Sequence, residues 1–275
     1  MPSVIIPAND EAAHLGACLD ALAAQTHTGP AEVIVSANAC TDDTVAVAES
    51  RRGRLAARGW TLTVLDRAEP GKLAALNAAD AVATHGTRVY LDADVICAPT
   101  LLAELAVALD TDAPRYASGT LTLAPARSWV TRQFGRTWEN LPFMTTNVPG
   151  AGLFAVNAAG RARWGAFPDI ISDDLFARLH FAPEERVRVP APYSWPLAEG
   201  VRPLVRVRRR QDAGTAEIAA TYPHLMANES KPPLSPRDHL RLFAARPVSY
   251  ATYVAVMLAV RFGPGRAETG WTRGR

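Results

Sequence analysis

Through residues 1–110, short apolar runs alternate with segments of helical period, and each run ends in a cluster of polar residues. "SVIIP" (3–7) leads into "EAAHLGACLDALAAQ" (11–25), where Leu15, Cys18, Leu19 and Leu22 recur at helical spacing. "AEVIVSA" (31–37) is followed by "NACTDDTVAVAESRRGRLAARG", in which Thr41 or Asp42 can cap a helix that Gly59 ends. "WTLTVLD" reads as a third strand, "GKLAALNAADAVAT" as a third helix and "TRVYLDADV" as a fourth strand. This alternation predicts an α/β fold, Rossmann-like, with a mostly parallel central sheet flanked by helices. Such sheets bind ligands where the carboxyl ends of their strands meet the loops. "PANDE", "NACTDD", "EPGK" and "DAD" all fall there. A single cluster is an ordinary turn; four in register predict one nucleotide-sized site.

Beyond residue 110 the texture is less regular. "RYASGTLTLAP" and "RVRVPAP" read as strands, "SWVTRQFGRTWENLPF" and "ISDDLFARLHF" as helices, and "GAGLFAVNAAGRARWG" as a glycine-rich turn, strand and short helix. The expected organisation is one continuous domain with a nucleotide-binding half over 1–110, an acceptor-side half over 111–245, and a C-terminal helix and tail over 246–275.

The net charge of +2 gives no electrostatic case for nucleic acid. Three cysteines without CxxC spacing exclude a zinc site and a disulfide framework, and a reducing cytosol fits them. The six histidines form no HExxH or similar ligand set. The opening residues lack a basic region and a long apolar stretch, so they are not expected to act as a signal peptide. "VSYATYVAVMLAVRF" (248–262) is shorter than the roughly 20 residues needed to span a bilayer.

In "RVYLDADVICAPTL" (88–101), Asp92 and Asp94 sit together at the end of the fourth strand. Residues two apart in a strand point the same way, so if extended backbone persists through Asp94 both carboxylates face one point. A divalent cation, Mg2+ or Mn2+, is the simplest compensation for that charge. In the alternative, one Asp caps the next turn and the other is solvated. Lysine is rare in a chain whose cations are almost all arginine, and Lys72, at a helix start after "EPG", is well placed to meet an anion.

The order of these motifs resembles the family 2 glycosyltransferases, inverting enzymes of the GT-A fold that move a sugar from a nucleotide diphosphate donor. The resemblance rests on "VIIPANDEAAHLGACLDAL", "EVIVSANACTDDT", "GKLAALNAA", "VYLDADV" and "SDDLFARL", and covers roughly residues 3–181. It implies that Pro7, Ala8, Asn9 and Glu11 border the base and ribose and that Asn38 contacts the base. Lys72 would lie near the nucleotide or its phosphates, and Asp92, Ala93 and Asp94 would form the metal motif, with Asp94 the more direct ligand. Asp174 matches the family's catalytic base, and Asp173 stands where the family usually has Glu. The glycine-rich "NVPGAGLFAV" matches a loop bordering donor sugar and acceptor, where Gly150 and Gly152 permit close backbone approach. The implied donor is a UDP-sugar, with GDP- and dTDP-sugars as alternatives, and the acceptor is a hydroxyl.

Arg206, Arg208, Arg209 and Arg210 could reach a diphosphate, with Arg208 taken as the candidate, although the Q-x-x-R-W motif of the family's processive members is absent, which argues against a processive polymer synthase. A haloacid-dehalogenase-type phosphohydrolase also uses D-x-D-x-(T/V), which "DADV" satisfies, but no Lys lies between Asp94 and Asp173. A catalytically degenerate nucleotide-sugar-binding protein is the other alternative. For the C-terminal helix, with Arg241, Arg246 and Arg261 nearby, three roles stay open: packing against the sheet, a homodimer contact, or peripheral contact at the inner membrane face.

Overall fold

The structure is a computed structural model and describes residues 1–263. The first stretch runs β1 (Pro2–Ala8), α1 (Ala12–Ala23), β2 (Glu32–Asn38), α2 (Thr44–Glu49), α3 (Arg52–Ala56), β3 (Thr61–Arg67), α4 (Lys72–Val82), β4 (Thr87–Leu91), the short β5 (Ile96–Cys97) and α5 (Leu101–Ala108). Then come β6 (Tyr116–Leu123), α6 (Trp129–Trp138), α7 (Pro142–Thr146), β7 (Leu153–Val156), α8 (Ala158–Arg161), α9 (Asp173–Leu179) and β8 (Arg186–Trp195). The last helices are α10 (Val201–Thr221), α11 (Pro236–Ala245) and α12 (Pro247–Phe262).

The sheet has the order β3-β2-β1-β4-β7-β6-β8-β5. Pairing is parallel through β3, β2, β1 and β4, and antiparallel where β7 meets β4 and β6 and where β5 meets β8. The parallel character read from the sequence therefore holds for the first four strands and stops at β4. Every residue of β2 is buried, as a central parallel strand covered on both faces requires. Its one carboxylate is provided for: Glu32 accepts from the Ser3 hydroxyl at 2.5 Å and the Thr84 N–H at 2.6 Å.

The chain divides into two compact units, each built from separated stretches, so no single cut in the sequence delimits either. The first comprises Met1–Leu121, Gly150–Asp169 and His180–Ser194. The second comprises Thr122–Pro149, Ile170–Leu179 and the chain from Trp195 onward. In the second unit α12 packs on α6, where the Ser249 hydroxyl donates to Gln133 Oε1 at 2.7 Å and the rings of Phe134 and Tyr253 lie 5.4 Å apart. The expectation of α12 packed against the sheet is thus replaced by helix-on-helix packing. The tail of the expected 246–275 segment lies, from residue 264, outside the described residues.

Arg178 of α9 is buried in this unit and paired with Glu229 at 2.8 Å. Burial pushes the Glu229 carboxyl up, but the Arg178 charge and hydrogen bond, with the N–H groups of Lys231 and Ser230, hold it below the usual range. A lowered folded-state value contributes stability that is present above the unfolded value and is lost as pH falls through the folded one. Glu229→Gln is therefore expected to destabilise the protein at neutral pH by about 1–3 kcal/mol and to flatten the loss of stability below about pH 4.5. Urea titrations at several pH values measure both.

Candidate active site

The loops after β1 and β2 are laced together in the first unit. Asn9 Nδ2 donates to the carbonyls of Asn38 at 2.7 Å and Ala39 at 3.2 Å. Asp10 and Ala39 adopt left-handed backbone, a conformation Asp tolerates better than most residues. Asp10 Oδ1 accepts from the N–H groups of Thr41 at 2.5 Å and Asp42 at 3.2 Å, and the Glu11 N–H donates to the Thr44 hydroxyl at 2.7 Å. Pro7 and Ala8 close β1 beside these loops, and Ala8 is buried.

The Asn38 side chain is buried, and its neighbours orient the amide so that Nδ2 donates to Ala8 O at 2.6 Å and Oδ1 accepts from the Gly71 N–H at 3.0 Å. That amide thus has a bridging role: it ties the end of β1 to the residue preceding α4. Gly71 can serve there because its φ of 119° suits a residue without a Cβ. The bridge positions Lys72, the first residue of α4, whose Nζ lies 3.0 Å from Asp92 Oδ1.

The expectation that extended backbone persists through Asp94 is corrected. β4 stops at Leu91, the Asp92 N–H donates to Gly152 O at 2.9 Å, and the Val95 N–H returns to Asp92 O at 3.1 Å. Asp92, buried Ala93, Asp94 and Val95 form a tight turn, so the pleat does not align the two carboxylates. Burial first, then the charges of Cys97, Asp94, Asp92 and Glu11, push the Cys18 thiol well above its ordinary range. Burial also pushes the Cys97 thiol up to about 12.

The Lys72 ammonium meets one carboxylate, Asp92, and Asp94 stands two residues further on in the same turn. Two carboxylates in one short turn offer the hard oxygen donors that a divalent cation takes. The donor set thus fits Mg2+ or Mn2+, with Asp94 and Asp92 as the residues to hold it. Among the described residues, Asp10, Cys40 and Asp42 have their ligand atoms within 4.8 Å of one another. Asp10 and Asp42 spend theirs on loop N–H groups and hydroxyls.

Gly150 and Gly152 both have φ of 73°. A Cβ on Gly150 would collide with the Tyr116 hydroxyl, and Gly152 supplies the carbonyl that receives Asp92 N–H. The close approach expected of these glycines is therefore made with Tyr116 and the turn carrying Asp92. Gly150→Ala is expected to destabilise the protein by about 2–4 kcal/mol, summing left-handed strain and overpacking, seen as a lower midpoint in thermal unfolding. Tyr116→Phe in the same chain should recover the overpacking part only.

In the second unit Asp173 and Asp174 open α9, where acidic residues also complement the helix dipole. Asp173 is buried, and Asp174 Oδ1 accepts from the Leu175 N–H at 2.8 Å. The preceding loop is held to α10: Glu217 accepts from the Ile171 N–H at 2.8 Å, and Gly214 leaves room for Ser172. Arg208, also on α10, donates to Gln211 Oε1 at 2.7 Å and reaches Asp212 at 3.3 Å. Arg209 donates to the carbonyls of Ala259, Val260 and Gly263, closing the end of α12. Sequence reasoning missed Thr44, Tyr116 and Glu217. Thr44 alone carried a signal, as a hydroxyl beside the acidic pair of the second loop.

A family model described as "Glycosyl transferase family 2" matches residues 3–162. No curated protein matches the chain significantly. Among solved structures, a mannosyltransferase, PcManGT from Pyrobaculum calidifontis with GDP-Man and Mn2+, is 24% identical with a TM-score of 0.60, over 96% of this chain and 76% of its own. TarS 1-349 from S. aureus with UDP is 16% identical with a TM-score of 0.55, over 100% and 95%. Glucosyl-3-phosphoglycerate synthase from Mycobacterium tuberculosis with Mg2+ and UDP is 18% identical with a TM-score of 0.51, over 80% and 78%. At these identities the likeness is one of fold.

Proposed function

The chain belongs to glycosyl transferase family 2, with the GT-A fold and a nucleotide-sugar-dependent transferase activity, and from that premise we propose how its own residues divide the work. The observation that carries the reading is the pair of Lys72 and Asp92 at 3.0 Å, with Asp94 in the same turn, at the carboxyl ends of the parallel strands. Asn9 and Glu11, with Pro7 and Ala8, border the nucleoside, and the Asn38 bridge holds Lys72 in place. Lys72 keeps Asp92 oriented at 3.0 Å and adds positive charge near the donor phosphates. Asp94 and Asp92 hold a divalent cation, which when bound supplies electrostatic stabilisation for a departing diphosphate.

Asp174 takes the proton from an acceptor hydroxyl as that oxygen attacks the anomeric carbon. The bond from that carbon to the diphosphate oxygen breaks on the opposite face, so the configuration inverts. Asp173, shorter than the family's usual Glu and buried, supports the turn that presents Asp174. The nucleotides bound in the related structures, UDP and GDP-Man, support a UDP- or GDP-sugar here. The free thiols of Cys18, Cys40 and Cys97 accord with a reducing cytosolic compartment.

The test incubates the protein with Mn2+ and UDP-, GDP- and dTDP-sugars in the presence of hydroxyl acceptors and measures nucleoside diphosphate release. Release that stops on chelation is the expected result. No release with any donor, together with metal-dependent nucleotide binding, would leave a binding protein in place of the enzyme.

A further inference from the structure

α12 packs on α6, α10 and α11, and among the described residues a further apolar side of it stays exposed. Its inner stripe, Ser249, Tyr253 and Val256, faces α6 through the contacts to Gln133 and Phe134. Its exposed residues include Val248, Ala251, Ala255, Leu258 and Phe262, spaced three and four apart and therefore aligned along one outer face. Val248, Leu258 and Phe262 are 51–73% exposed, as are Leu240 and Phe243 on the adjoining α11. Exposed apolar groups this dense, rimmed by charge, mark an interaction surface.

The rim decides what the surface meets. Arg237, Arg241, Arg246 and Arg261 are exposed around these side chains, and the carboxylates nearby among the described residues are engaged: Asp238 receives the Ser235 N–H, and Asp212, which lines a pocket with Leu258 and Arg261, pairs with Arg208. A second copy is a poor occupant. Antiparallel two-fold pairing of α12 along its stripe sets Val248 opposite Phe262 of the other copy, and then brings Arg246 beside Arg261. Like charges meet at both ends of such a pair. A surface that is apolar within and negative at its face suits both features at once.

We propose that the outer face of α11 and α12 docks onto an anionic lipid bilayer, with both helices lying in the interface and the arginines at the headgroups. Among the described residues no helix is long and apolar enough to cross a membrane, so the contact is peripheral. The inference does not use the transferase reading, and its test does not depend on turnover.

Full-length protein is sedimented with phosphatidylcholine vesicles containing phosphatidylglycerol, and with phosphatidylcholine vesicles alone, at low and high salt. Binding is expected to the phosphatidylglycerol vesicles and to fall with salt. Leu258→Glu with Phe262→Glu, both at exposed positions, should weaken it at least about ten-fold, since each removes buried apolar area and adds a repelled charge. Arg241→Glu with Arg246→Glu should weaken it by at least about twenty-five-fold, at roughly five-fold per basic residue. Equal binding to both vesicles, no binding to either, or binding unchanged in both variants overturns the proposal. So does a dimer in solution that Leu258→Glu dissociates while wild-type protein ignores the vesicles, because the face would then belong to a second copy.

Discussion

Asp94→Ala is expected to abolish metal-dependent transfer, lowering kcat/KM by about a thousand-fold, or roughly 4 kcal/mol of transition-state stabilisation. Asp94 belongs to a turn in which Asp92 is also engaged by Lys72 at 3.0 Å, and the proposed reading gives Asp94 the more direct part in holding the cation. The fold should survive. The turn is made by the backbone, through Asp92 N–H to Gly152 O and Val95 N–H to Asp92 O, and neither bond uses the Asp94 side chain. Mn2+ binding measured by calorimetry separates this account from a structural one: an Asp94→Ala protein that unfolds normally and binds Mn2+ like the wild type would remove Asp94 from the metal site.

Asp174→Asn carries the second large effect. The amide keeps the size of the carboxylate, and its oxygen can still accept from the Leu175 N–H, so α9 should form as before. What is lost is the capacity to take a proton, and loss of a positioned general base costs about a hundred- to ten-thousand-fold in kcat. Donor affinity is expected to stay near the wild-type value. Normal turnover by this variant would dismiss Asp174 as the base, whereas loss of donor binding along with turnover would place its role in the fold. The two variants thus give opposite patterns, one losing cation binding and the other keeping both ligands while losing chemistry.

Much of the donor side was legible because its signals are local. The alternation of apolar runs with helical spacing from Ser3 to Val95 follows from period alone, and it located four loops at the right ends of four parallel strands. The order of "PANDE", "NACTDD", "GK", "DAD" and "SDD" was enough to reach the family. The signal weakened after residue 110 because antiparallel pairings such as β4 with β7 join residues far apart in sequence, and no local period announces them.

What the sequence did not carry was how individual side chains are held. Asn38 reads as a polar residue at a strand end, available to a ligand, yet its amide is taken by Ala8 and Gly71. The pleat argument for Asp92 and Asp94 fails because Gly152, sixty residues away, accepts the hydrogen bond at which the strand ends and the turn begins. Arg209, one of four arginines in a basic run, is spent on the carbonyls that end α12.

By itself the sequence determined the α/β class, the parallel core of the sheet, the family and the residue types that can meet a cation and a nucleotide, because periodicity and motif order are written in neighbouring residues. Only the tertiary structure decided how those residues are held: Lys72 against Asp92, Asn38 between two loops, Gly150 under Tyr116, and one apolar face of α12 on α6 with the other turned outward. Each of these depends on a contact between segments distant in the chain, and the hydrogen-bonding capacity of a buried side chain is allotted only when those segments meet.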